Sequence, residues 1–244
     1  MDGDAFNFVF RACVDCNSRK AVAERHLSSV TLLNGPGRLS DERAADAAAR
    51  KAVRDFHPAM PGVPMGQASE TDRIKFAGQG CEIEFGFIAP PQAIQSYVVD
   101  LALRHAQGFF SLLTTQDYRT TISLLPPPQV QLLGAYPRSD WGHPWVAEVT
   151  RRVSSWPCRA NVTSADGYFK AIFRRHELEG WFWAFEWNKH LRVLGSIAHG
   201  RAELFDGLPN EGWFNAGGRL LREAVLLDEA EDRLFGGSVD GSFI

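Results

Sequence analysis

The chain has 244 residues, 45% hydrophobic and 23% charged, the make-up of a folded globular protein and not of a disordered one. Its 26 basic and 29 acidic residues leave a net charge of −3, which excludes a generally basic nucleic-acid coat. No apolar run approaches the length that a membrane-spanning helix needs, and the acidic start Met1-Asp2-Gly3-Asp4 lacks the order of a secretory signal, so a cytoplasmic chain is expected.

Charge is unevenly placed. Residues 201–244 hold four basic and nine acidic residues, so the acid excess sits in the tail. Arginine outnumbers lysine by 21 to 5. Arginine suits bidentate phosphate contacts, but a GC-rich genome produces the same bias, and that is the preferred reading.

In chain order, the first helical stretch runs from Cys16 to about Leu27. Ser40 then reads as the N-cap of a second helix, with Asp41 and Glu42 in its first turn and Ala45, Ala48, Ala49, Ala52, Val53 and Phe56 at helical spacing. His57-Pro58 ends it. Residues 58–70 hold three prolines and two glycines and are expected to be a linker between a segment 1–57 and a domain 71–244. Two short strands are predicted between Ile74 and Ile88 around Gly78-Gln79-Gly80. Pro90-Pro91 opens a long helix to about Leu113, with Ile94, Val98, Leu101 and Phe109 along one face. Pro126-Pro127-Pro128 and Trp141 to Trp145 read as loops, and strands are favoured from Val146 onward. Among these, Tyr168 to Arg175 and Trp181 to Trp187 form a hairpin around Glu179-Gly180. The fold class is therefore α+β: one long helix with an antiparallel, aromatic-rich sheet.

Of four cysteines, Cys13 and Cys16 form a C-x-x-C pair, whereas Cys81 and Cys158 are isolated. In a cytoplasmic chain this spacing means a metal knuckle or a redox pair. The neighbours decide for the knuckle, since the full string is Asn7-x5-Cys13-x2-Cys16-Asn17-x2-Lys20. Over residues 2–27 this string resembles the second half of the HNH endonuclease motif in its zinc-knuckle variant. The resemblance implies a partial ββα-metal unit before the mixed domain. It implies a structural Zn²⁺ held by Cys13 and Cys16, and a catalytic Mg²⁺ or other divalent ion held or oriented by Asn7 and Asn17. It also implies DNA as the partner, contacted by Arg19 and Lys20, with phosphodiester hydrolysis as the reaction. The family's first cysteine pair and its catalytic histidine belong upstream of Asn7, which lies close to Met1. The chain is accordingly expected to be a form truncated at the N-terminus, inactive as given. The alternative is a non-catalytic binding protein of phage or defence origin that keeps the HNH remnant and meets a protein partner through its C-terminal domain.

The remaining polar residues carry plainer expectations. His26 is assigned to a helix surface in preference to a third zinc ligand, His57 to a helix end, and His105 to a half-buried helical position. His176, Glu177 and Glu179 read as a solvated turn. Glu186, Lys189 and His190 could suggest a polar site, but their spacing misses that of restriction-type nucleases. The run Trp181, Phe182, Trp183, Phe185 and Trp187 is apolar on both faces and reads as a core strand before a base-stacking platform. Arg151-Arg152 and Arg174-Arg175 fit a phosphate-binding face and exposed strand ends equally well.

Overall fold

The computed structural model describes residues 14–34, 42–78, 80–89, 91–114, 129–176, 180–198 and 225–237. The chain divides into two compact units, one of residues Val14–Val98 and one beginning at Val99. The division falls within a helix near residue 98. Residues 58–70, expected as a linker, lie inside the first unit.

The first unit pairs two helices and carries a hairpin. Helix α1 (Val14–Asn34) is longer than the sequence pattern indicates, and it buries Ala23, His26, Leu27 and Val30, a stripe at helical spacing. Helix α2 (Glu42–Arg54) packs on it through Ala48. Val53 and Phe56, expected on the same apolar face, are instead 76% and 60% exposed. A polar clamp fixes the helix pair. Ser29 Oγ donates to Asp55 Oδ2 at 2.7 Å, and Lys51 Nζ donates to Ser28 Oγ at 2.8 Å. The proline-rich stretch after α2 folds back on it. Met65 N–H donates to Asp55 O at 2.8 Å, Met65 and Ala68 are buried, and a Cβ on Gly66 would stand only 2.9 Å from that of Ala52. Strands β1 (Glu70–Gly78) and β2 (Cys81–Ala89) then form an antiparallel hairpin. Its tight turn is closed by Gly80 at φ +81°, a conformation glycine adopts without strain.

The second unit contains most of helix α3 (Gln95–Thr114) and a five-stranded sheet. The strands are β3 (Gln129–Pro137), β4 (Cys158–Ser164), β5 (Phe169–Arg175), β6 (Trp181–Trp187) and β7 (Leu191–Ala198). Their order across the sheet is β3-β7-β6-β5-β4, and every neighbouring pair is antiparallel. The fold is α+β.

The sheet is covered on both faces, which is why its central strands β6 and β7 are buried at every residue. On one face α3 lays His105, Phe109 and Phe110 against Phe169, Phe173, Trp181, Phe185 and Trp187 at ring separations of 5.3–6.3 Å. On the other face lies helix α4 (Pro144–Val153). The strand preference from Val146 onward is corrected there. Pro144 starts the helix, His143 Nδ1 caps it by accepting from Trp145 N–H at 3.2 Å, and Trp145, Val146, Val149 and Val153 are buried. Arg151 and Arg152 therefore lie on a helix surface, where both pair with Glu148 at 2.8 and 2.7 Å. The aromatic run of β6 is a core strand, as its two-faced pattern indicates.

Candidate functional site

Asn7 and Cys13 of the motif lie outside the described residues. The rest of the string opens α1. Cys16, Asn17, Arg19 and Lys20 occupy the first two turns, with Asn17 and Arg19 exposed and Lys20 Nζ 2.7 Å from Glu24 Oε1. Cys16 is disulfide-bonded, whereas Cys81 and Cys158 are free thiols. Sulfur in a disulfide offers zinc no thiolate. Among the described residues no three of His, Cys, Asp and Glu converge as metal ligands do.

His26 departs from its expected surface position. It is 3% exposed, and its Nε2 accepts a hydrogen bond from Ile94 N–H at 2.9 Å. His57 and Tyr97 stand edge-on to it at 5.4 and 5.5 Å. Burial, assisted by His57, lowers the His26 pKa from 6.5 to about 4. It is thus a neutral core residue. His57 is buried too, with Nδ1 accepting from Ala59 N–H at 3.3 Å. The His176 ring lies tilted beside that of Trp156 at 4.8 Å, while Glu177 and Glu179 lie outside the described residues.

The strongest polar cluster joins residues that no local sequence motif links. Strand register sets Lys170 on β5 opposite Glu186 on β6, and Glu186 opposite Arg192 on β7. These three positions share the sheet face covered by α4. Arg192 donates to Glu186 Oε2 through Nε at 2.9 Å and Nη2 at 2.8 Å, and Lys170 Nζ stands 3.3 Å from Glu186 Oε1. Arg192 also pairs with Asp232, which lies 40 residues further along the chain. Its guanidinium lies 3.5 Å from the centroid of the Trp141 ring, whose Nε1–H is held by Tyr136 O at 3.1 Å. Glu186 and Arg192 are each 1% exposed. Lys189 and His190, grouped with Glu186 in the sequence reading, do not join it. Lys189 turns to Glu229 at 3.1 Å, and His190 is held well below its ordinary pKa, at about 4, by burial.

Arg174, expected on a phosphate-binding face or at an exposed strand end, is buried on the same sheet face. It donates to the carbonyls of Ser154 and Trp156 at 3.3 and 3.0 Å, and to Gly236 O. Only Arg175 is exposed, with its guanidinium near the Trp181 ring.

Chemically, the single Glu186 carboxylate is shared between two cations, so the row can recognise a further anionic group. Comparison with protein-family models, with curated proteins and with solved structures gives no match.

Proposed function

We propose that the chain is a relative of the HNH endonucleases whose half-motif engages DNA, and that it does not cleave DNA as given. The observation that supports this best is that Cys16, Asn17 and Lys20 lie together on α1, as expected of a knuckle that leads into the helix of a ββα-metal unit. Asn17 and Lys20 are three residues apart and share a helix face, with Arg19 exposed beside them. The residues present fit the family's metals only in part, because Cys16 in its disulfide is no zinc ligand. In such enzymes the divalent ion would stabilise charge on the leaving oxygen. A general base is also needed, and His26, the histidine nearest the motif, is buried with Nε2 occupied.

The test is a plasmid assay paired with a binding assay. With Mg²⁺, Mn²⁺ or Ni²⁺ the chain leaves supercoiled plasmid intact, because losing the general base costs about 10²–10⁴-fold in rate. Binding to duplex DNA weakens as salt rises, and weakens further in the Arg19→Ala/Lys20→Ala variant. Metal-dependent cleavage that survives Asn17→Ala overturns this reading. So does an absence of DNA binding at low salt.

A second reading, a non-catalytic interaction protein, is favoured by the β1–β2 hairpin. Cys81 to Gly86 are all exposed, with Ile83 and Phe85 at 47%, and isolated two-stranded hairpins gain little stability by themselves. A DNA-binding null with the hairpin protected by a captured protein would select it.

A further inference from the structure

Residues 225–237 (Val-Leu-Leu-Asp-Glu-Ala-Glu-Asp-Arg-Leu-Phe-Gly-Gly) cross the second unit without forming helix or strand. They carry four acids and one arginine, and of their side chains only Leu234 is fully buried. Their fixings come from the body of the unit and read the segment in two ways. Backbone groups are held regardless of sequence. Gly142 N–H donates to Val225 O at 2.7 Å, Arg138 Nη2 to Leu227 O at 3.2 Å, Asn161 Nδ2 to Phe235 O at 3.0 Å, and Arg174 to Gly236 O. Side chains are held too: Glu229 by Lys189 at 3.1 Å, Asp232 by Arg192, and Leu234 within the core cluster of Ile172, Phe182 and Leu194, against which Leu227 and Phe235 also pack.

The charge row explains why an acid is needed at position 232. Lys170, Glu186 and Arg192 together carry one surplus positive charge, and Glu186 is already shared between both cations. Asp232 supplies the missing negative charge. The Arg192 guanidinium is already fixed by Glu186 and by the Trp141 ring, so the sheet face without the segment is a preformed receptor for a carboxylate.

We propose that this face is a docking groove for an acidic peptide that presents a carboxylate two residues before a leucine, and that residues 225–237 occupy it in cis. A partner segment of the same chemistry binds by displacing them. The proposal is independent of the HNH reading. Main-chain carbonyls held by fixed donors, with two acid pockets and one apolar anchor, are the means by which grooves take extended peptides. The tethered segment competes at an effective concentration of about millimolar, so the undisturbed chain binds the free peptide weakly.

Gly142 allows a test that leaves the charge row intact. A Cβ there would meet Val225 O and Leu226 O, each at 2.7 Å, so Gly142→Ala loosens the segment from its edge. The probe is a peptide with the sequence of residues 227–237, labelled with fluorescein at its C-terminus and lacking the two residues whose carbonyls face Gly142, titrated against the full chain and followed by anisotropy. Gly142→Ala and, separately, Asp232→Asn in the chain should each tighten peptide binding by about tenfold or more, the scale of one charge-assisted hydrogen bond. A peptide carrying Asn in place of its Asp232, or Ala in place of its Leu234, should bind the Gly142→Ala chain correspondingly less well. A Gly142→Ala dimer that excess peptide dissolves is also a supporting result, since it is the same exchange between copies. If Gly142→Ala is folded and binds the peptide no better than the unchanged chain, the proposal is overturned. Hydrogen exchange on the unchanged chain decides the matter if both variants unfold. Amides of 225–237 that open well before those of β6 and β7 support displacement, and amides that open only with them overturn it.

Discussion

Glu186→Gln removes one charge from the row while keeping its shape, so its effect isolates the electrostatics. In the native chain Oε2 takes two hydrogen bonds from Arg192 and Oε1 faces Lys170, with Glu186 and Arg192 almost fully withdrawn from water. The carboxamide keeps one acceptor for Arg192 but turns an NH₂ toward Lys170, and the row with Asp232 passes from neutral to one uncompensated positive charge. Breaking a buried pair from one side costs about 3–5 kcal/mol. The surviving acceptor, with Asp232 still on Arg192, places the expected loss near the lower end, about 3 kcal/mol. Every described tryptophan lies in the second unit, so urea unfolding followed by tryptophan fluorescence reports on this unit. With a slope of about 1–3 kcal/mol per molar urea, the midpoint should fall by roughly 1–3 M. Adding Lys170→Met should recover part of the loss, because it removes the cation that the carboxamide no longer meets with an acceptor, and a double-mutant cycle reads that coupling. A loss under about 1 kcal/mol, the range of exposed pairs, would refute the reasoning, since it would mean that water reaches the row.

Three further outcomes follow from particular residues. Gly195→Ala places a Cβ 1.9 Å from Trp183 Cζ2 and 2.4 Å from Gln131 O; the displaced indole should cost about 1–3 kcal/mol or more and weaken the near-ultraviolet circular dichroism, and unchanged urea curves would contradict it. The His26 pKa lies near 4 against an ordinary 6.5, so the neutral form is the folded one. The stabilisation it gives is complete above pH 6.5 and is lost as pH falls toward 4, by at most about 3 kcal/mol. His26→Gln, which keeps an acceptor for Ile94 N–H, should flatten the fall in first-unit stability between pH 7 and 4.5, measured by hydrogen exchange of α1. Reduced chain should hold zinc below one equivalent by elemental analysis, because Cys13 and Cys16 provide two of the four ligands a structural site needs; one tightly held zinc per monomer would disprove this.

The elements legible in the sequence are those whose signals are local. Gly78-Gln79-Gly80 between alternating residues gives the β1–β2 hairpin, Pro90-Pro91 before an apolar stripe gives α3, and the Trp181–Trp187 run gives a strand covered on both sides. Helix α4 escaped because its start signal is spread over three residues. His143 caps through its ring, Pro144 occupies the first turn, and Trp145 begins the buried face, so the segment resembles a proline-broken loop when read by composition. Residues 58–70 escaped for the opposite reason. Their prolines suggest a boundary, but Met65 and Ala68 are buried beside α2, and burial depends on contacts that a window of sequence does not contain.

The polar site shows the same division. Lys170, Glu186 and Arg192 are too far apart in sequence to form a motif, and nothing about Glu186 alone distinguishes it from a strand-end carboxylate. What joins them is parity. Each occupies the α4-side position of its strand, and the register of β5, β6 and β7 places them in one line. Locating β7 would therefore have been enough to pair Glu186 with Arg192, because a buried carboxylate on a central strand requires a cation directly across from it. Asp232 follows by the same reasoning only one step later. A row of two cations and one anion inside a sheet-helix interface demands another acid, and the acid-rich tail after residue 200 is where the chain has it to give. The acidity of that tail thus serves in part to pair cations of the second unit. Four of its acids lie in 225–237, and Glu229 and Asp232 meet cations on the body of the second unit.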